Sequence, residues 1–176
     1  IVSYLGYVVD AFRGHALAKR IKLHFLAEEA EVIMDYDQEK YMTILSNLIS
    51  NAIKFTPEEG NVYVSLVFRD MGEDSVFELT VRDTGIGIPP EELEHIFERI
   101  GLSLVHELVK MLEGEIHVRS AQDKGTTFTI TFPLRKETIN PGAPVMKEDI
   151  RSNINFLMPS LPHENIVMSD EVIDDK

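Results

Sequence analysis

Residues 39–55 read EKYMTILSNLISNAIKF, and this stretch decides the reading of the whole chain. Ile44, Leu45, Leu48, Ile49, Ala52 and Ile53 recur at helical spacing, which predicts an amphipathic helix of more than four turns facing a core. Asp37 is placed to cap its N-terminus, and Glu39 puts a carboxylate in the first turn, where the helix dipole favours it. Thr56-Pro57 ends it, because the residue before proline is driven out of the α region. The polar side is unusual. Asn47, Asn51 and Lys54 follow one another at spacings of four and three, so their side chains share one face. Two carboxamides and an ammonium offer oxygens to a hard cation and donors to phosphate. A solvated face explains the same stripe, and the helix alone does not choose between the two readings.

The 176 residues make one domain, with length left for a tail. A formal net charge of −13 argues against nucleic acid as a partner, since phosphate neutralisation needs a basic surface. The absence of cysteine excludes disulfides and thiolate metal sites. No apolar run is long enough to span a bilayer and no signal peptide opens the chain, so a soluble, cytoplasmic segment is expected. The first residue is Ile, not Met, which suggests a piece of a longer protein.

Working outward, Ile1, Leu5, Val8, Val9, Phe12 and Ala16 predict a helix over residues 1–19. Strands are predicted near 21–25, 31–35, 61–69, 75–83, 115–120 and 126–132, with turns at 57–60, 70–74 and 122–125. In the fourth strand Phe77, Leu79 and Val81 point inward, and Asp83 falls in phase with them. An inward carboxylate is costly unless something donates to it; as a plain alternative, it is the turn residue at the strand's end. Residues 83–88, DTGIGI, follow. Gly85 and Gly87 permit tight turning and close backbone approach, although a lone GxG is more often just a turn. Pro89-Pro90-Glu91-Glu92 begins a helix with Leu93, Ile96 and Phe97 inward. Gly101 opens another helix, closed by Gly114. After Leu134 prolines break the chain, one helical piece is expected near 147–156, and the end is acidic.

Taken in order, LSNLISNAIKFTP, VRDTGIGIPPEELEHIFER, GLSLVHELVKMLEGEI and GTTFTITFPL resemble the catalytic and ATP-binding domain of sensor histidine kinases. That domain belongs to the wider group that includes the gyrase, Hsp90 and MutL ATPase domains. The resemblance spans roughly residues 4–134, and four ordered motifs are far more specific than one glycine motif. It implies a Bergerat-type α/β fold: a two-layer sandwich, with a mixed sheet covered on one face by helices. It implies ATP and Mg²⁺ as ligands, with Asn51 as the metal ligand and Asn47 and Lys54 as catalytic partners of the metal shell and phosphates. Asp83 would accept from the adenine amino group, with Gly85, Gly87 and Ile88 beside the nucleotide and Thr126 near its adenine end. Gly101 and Leu102 would bring a helix N-terminus to the phosphates.

In gyrase-like ATPases the residue four before the metal-binding Asn is a Glu that activates water. Here it is Asn47, and an amide is no general base at neutral pH, which favours phosphoryl transfer to a protein side chain over hydrolysis. The sequence departs from the family in two ways. Arg99 is separated from Gly101 by a single residue where the family carries a mobile lid. No histidine has the acceptor context: His15, His24, His95, His106, His117 and His163 all read as surface or packing residues. The acceptor is therefore expected upstream, on a dimerisation domain joined through the helix at 1–19. Residues 135–176 are expected to be a linker or tail, leading towards a response-regulator receiver domain. The whole protein is expected to be a homodimer anchored in the inner membrane outside this segment. The rival readings are a gyrase-like ATPase or anti-sigma-type serine kinase, and a degenerate module that binds partners but no nucleotide.

Overall fold

In the computed structural model, residues 1–69, 72, 75–99 and 101–134 are described. The expected helical piece at 147–156 and the tail at 135–176 lie outside them. The elements in chain order are α1 (Val2–Ala11), α2 (Arg13–Ala18), β1 (Lys22–Ala27), α3 (Gln38–Phe55), β2 (Asn61–Arg69), β3 (Val76–Asp83), α4 (Pro90–Leu93), a 3₁₀ turn (Ile96–Glu98), α5 (Leu102–Met111), β4 (Glu115–Ala121) and β5 (Gly125–Pro133). The strands form one sheet in the order β1-β2-β3-β5-β4. β1 runs parallel to β2, and every other pairing is antiparallel, so the sheet is mixed. The helices pack on one face of it, the expected two-layer α/β arrangement.

The period of two in β2, β3 and β5 places Val62, Val64, Leu66, Phe77, Leu79, Val81, Phe128, Ile130 and Phe132 against the helices. Ile44, Leu45, Leu48, Ile49, Ala52 and Ile53 of α3 meet them, all buried as the helical spacing predicts. Leu5, Val8 and Val9 of α1 and Val105 and Val109 of α5 complete the layer on either side of α3. An aromatic row runs from Tyr36 through Tyr41 to Phe132 and Phe77, with ring centroids 4.9–6.1 Å apart.

α3 carries the polar stripe, and both of its ends are fixed. The Asp37 carboxylate accepts from the Lys40 backbone N–H at 3.0 Å and also holds the Lys40 ammonium; these donors keep its pKa below the ordinary value. At the other end Lys19 donates to the carbonyls of Ile53 (2.9 Å) and Lys54 (3.2 Å), where a cation also suits the dipole. Thr56 closes the last turn through its hydroxyl on the Ala52 carbonyl at 2.6 Å.

The structure corrects three expectations. Residues 31–35 form no strand, so the sheet has five strands rather than six among the described residues. That segment carries the chain from the end of β1 to the start of α3. Its burial alternates as a strand's would, with Val32 and Met34 inward and Glu31, Ile33 and Asp35 exposed, but its backbone joins no ladder, and the Val32 carbonyl is taken by the Ile1 amino group. The helix expected over 1–19 divides at Phe12, whose backbone (φ −90°, ψ −6°) turns its buried ring into the core ahead of the helix-weakening Gly14. The helix after Pro89 lasts one turn and gives way to the 3₁₀ turn, with Ile96 buried and Leu93 and Phe97 only half-buried. Among the described residues no helix is long and apolar enough to cross a membrane.

Burial orders the cost of truncation. Leu45→Ala should lower unfolding free energy by about 2–5 kcal/mol in chemical denaturation. Leu17→Ala, at a position 76% exposed, should change it by less than about 0.5 kcal/mol.

Candidate functional site

A pocket of about 420 Å³ opens where the C-terminal half of α3, the end of β3, the β4–β5 hairpin and the start of α5 converge. That volume suits a small organic ligand. Its floor is apolar, from Leu48, Ala52, Val81, Ile96 and Phe128. Its polar groups divide into two sets. Asp83 and Thr126 are buried, whereas Lys54, Glu92, Arg99 and Asp123 stand at the exposed rim. An apolar slot with a polar end and a charged mouth fits a flat heterocycle joined to an anionic chain.

Asp83 sits at the last position of β3, in phase with the core residues, and is 7% exposed. Its Oδ1 accepts two backbone N–H bonds, from Gly85 at 2.8 Å and Thr126 at 3.2 Å. Among the described residues nothing donates to Oδ2. Burial pushes the carboxyl pKa up, and the two backbone donors pull against that without cancelling it. A partly desolvated acceptor without a partner, in the wall of a pocket, has the chemistry to take a donor from a ligand.

The loop that follows is tied on both sides. Ile86 N donates to the Phe55 carbonyl at 3.2 Å, and Asp123 N donates to the Ile86 carbonyl at 2.7 Å. Ile88 N donates to Ser120 Oγ at 2.8 Å. Gly87, at φ +69°, runs so close to the hairpin that a Cβ would lie 2.0 Å from the Ala121 carbonyl oxygen. Gly125, at φ +84°, approaches Asp83 equally closely, its Cβ position 2.0 Å from the Asp83 carbonyl. Neither position accepts a side chain.

Seven of the residues singled out from the sequence line the pocket: Asn51, Lys54, Asp83, Gly87, Ile88, Leu102 and Thr126. Three stand just outside the wall. Gly85 holds Asp83 through its N–H. Gly101, at φ +92°, is the N-cap of α5. Asn47 donates through Nδ2 to the Thr43 carbonyl at 2.8 Å, and its Oδ1 lies 3.0 Å from where a Gly101 Cβ would be. Asn47 therefore reaches towards the α5 N-terminus rather than into the cavity.

The Asn51 carboxamide makes no hydrogen bond to any described residue, so its oxygen is available to a hard cation. The described residues hold no cluster of three or more His, Asp or Glu that could cage an ion. The donor set thus fits Mg²⁺ in the mode where one protein oxygen joins phosphates and water. It does not fit a cage built wholly from protein.

Sequence reasoning missed Phe55, Ile86, Glu92, Arg99, Gln122 and Asp123, all of which line the pocket. Gln122 and Asp123 read as turn residues, and they are: Asp123 has φ +59°. The turn enters the site only because the hairpin folds over the 84–89 loop. Arg99 and Glu92 form an ion pair at the rim across the break between α4 and the 3₁₀ turn, where the chain is no longer one continuous helix.

Comparison with known proteins gives this geometry a family. Residues 36–136 match the family described as histidine kinase-, DNA gyrase B-, and HSP90-like ATPase. The sensor histidine kinase WalK of Bacillus subtilis (strain 168) is 30% identical over 155 residues, covering 78% of this chain and 24% of WalK. The autoinducer 2 sensor kinase/phosphatase LuxQ of Vibrio vulnificus (strain YJ016) is 36% identical over 151 residues, covering 73% of this chain and 18% of LuxQ. The chain thus spans about a quarter or less of these curated relatives. Among solved structures, the catalytic domain of histidine kinase ThkA superposes with a TM-score of 0.66 at 23% identity, covering 76% of this chain and 91% of that one. Full-length ShkA in complex with AMPPNP gives a TM-score of 0.69 at 24% identity, over 78% of this chain and 31% of ShkA. The chain belongs to the histidine kinase-, DNA gyrase B- and HSP90-like ATPase family, and its domain is the ATP-binding catalytic domain of the sensor histidine kinases.

Proposed function

We propose that this domain binds Mg-ATP and delivers the γ-phosphoryl group to a histidine on a dimerisation domain outside these residues, for relay to a response-regulator receiver domain. The observation that carries the reading is Asp83. Its Oδ1 is held by two backbone N–H groups, and its Oδ2 is left as an acceptor in a pocket whose other end carries Asn51 and Lys54. In this reading Oδ2 accepts from the adenine amino group, and the base lies against the floor of Val81, Ile96 and Phe128. Lys54 donates to phosphate oxygens at the rim, and the first residue of α5, Leu102, lines the same pocket, which brings the positive end of that helix to the phosphates. When bound through Asn51, Mg²⁺ supplies neutralisation of the phosphate charge.

The acceptor histidine is assigned elsewhere because no described histidine lines the pocket. His24 stacks on Tyr63 at 4.7 Å, and His106 stacks on Phe97 at 5.0 Å. Asn47 supplies no base for activating water, which favours transfer over hydrolysis. The retained Asn51, Lys54 and Asp83 count against a module without nucleotide.

Asp83→Asn tests the reading. The carboxamide oxygen can keep the bonds from Gly85 and Thr126, but an NH₂ then stands where Oδ2 accepted. Affinity for a non-hydrolysable ATP analogue should fall roughly 10–100-fold by calorimetry, the loss of one hydrogen bond to a charged group. Unchanged affinity would show that the base binds elsewhere.

The same variant should alter pH dependence. Because burial raises the Asp83 pKa, the folded protein keeps a proton that the unfolded chain has already released. The Asp83 contribution therefore lowers stability as pH rises from the ordinary aspartate value through the raised one. The stability difference between wild type and Asp83→Asn, measured by denaturation without nucleotide, should shift in favour of the variant across that window. Asp37, whose lowered pKa works in the opposite sense, cancels in this difference.

Asn51→Ala should abolish the strengthening of analogue binding by Mg²⁺ and leave metal-free binding within about threefold, under the same calorimetry.

A further inference from the structure

Ser120 lies outside the pocket wall, yet its hydroxyl stands among three polar partners. Ile88 N donates to it at 2.8 Å, the Gly125 carbonyl lies 3.0 Å away, and Thr126 Oγ1 lies 2.9 Å away. A serine hydroxyl has one proton and two lone pairs. The Gly125 carbonyl can only accept, so the Ser120 proton goes there. Ile88 N–H takes one Ser120 lone pair. The contact with Thr126 is then a hydrogen bond only if Thr126 is its donor. This distribution satisfies all three contacts and saturates Ser120.

Thr126 lines the pocket and is 7% exposed, and its single proton is committed to Ser120. What its hydroxyl can offer a ligand is lone pairs. The buried polar end of the pocket therefore presents two acceptors, Asp83 Oδ2 and Thr126 Oγ1, and no hydroxyl donor. We infer that Ser120 is a specificity-determining positioning residue: it fixes the Thr126 hydroxyl as an acceptor, so that the pocket selects a base edge carrying an amino group over one carrying a carbonyl. This rests on the nucleotide reading of the site. The physical basis is asymmetric. A purine with a 6-amino group brings protons to these acceptors, whereas a 6-oxo purine brings a lone pair and leaves buried groups facing one another without a proton between them.

The consequence of removing Ser120 is specific. In Ser120→Ala the Thr126 proton loses its recipient and is free to turn into the pocket, where it can serve a carbonyl edge. Ile88 N and the Gly125 carbonyl lose a partner as well, so both ligands are expected to bind somewhat more weakly. General loosening moves them together; a change of hydroxyl polarity moves their ratio.

The experiment is a calorimetric titration of the whole chain with ADP and with IDP, which differ in the amino and oxo groups at this edge. Wild type should prefer ADP, and Ser120→Ala should shrink that preference about tenfold, the worth of one hydrogen bond gained and one lost. In a Thr126→Val background the same Ser120 change should leave the ratio unmoved, because the hydroxyl it acts through is gone. Equal weakening of both ligands in Ser120→Ala would make Ser120 a structural tie only and overturn the inference. If circular dichroism shows that Ser120→Ala does not fold, Thr126→Val alone decides: it should also reduce the preference, and an unchanged ratio overturns the inference. Failure of wild type to bind ADP at all would instead remove the nucleotide reading, an outcome distinct from any change in ratio.

Discussion

The site depends on one buried oxygen. Asp83 Oδ1 receives N–H bonds from the loop that follows its own strand and from the start of β5, so a single atom joins β3, the 84–89 loop and the hairpin. Both bonds fall on the one oxygen and leave the second without a donor among the described residues. Gly125 is the steric condition for this arrangement, because any side chain there would meet the Asp83 carbonyl. The hairpin can close over the pocket only where the backbone is bare.

Holding that carboxylate has a cost. Two backbone donors do not restore the hydration that burial removes, and the raised pKa records the shortfall. A protein selected for stability alone would place an asparagine or an apolar residue at this position. The cost is local because the rest of the layer carries none of it: α3 is capped at both ends and lies on an apolar sheet face. The scaffold and the buried carboxylate thus occupy adjacent but separable parts of the fold.

Much of this was legible in the sequence because it is periodic. The core face of α3, the alternation in β2, β3 and β5, and the in-phase placement of Asp83 all follow from repeat lengths of 3.6 and 2. The four motifs then supplied the family. What was not legible arises from contacts between distant segments. The 31–35 stretch has strand-like composition, yet it serves as the link between β1 and α3. Phe12 interrupts a helix whose spacing reads straight through it. Ser120 and Asp123 look like ordinary hairpin residues, and their roles come from the loop they clasp some thirty residues away, a relation no local pattern encodes.

The mixed sheet also bears on how the domain assembles. β2 with β3 and β4 with β5 are neighbours along the chain and can pair after short loop closures, whereas β1 reaches β2 only across the whole of α3. The pocket draws on α3, the end of β3, the 84–89 loop and the second hairpin, so it does not exist until the two hairpins have docked against each other and against the helix. A partly assembled chain has no surface that a nucleotide could recognise. Ligand therefore acts on the last stage of folding alone: it slows the first step of unfolding rather than hastening the early steps of assembly.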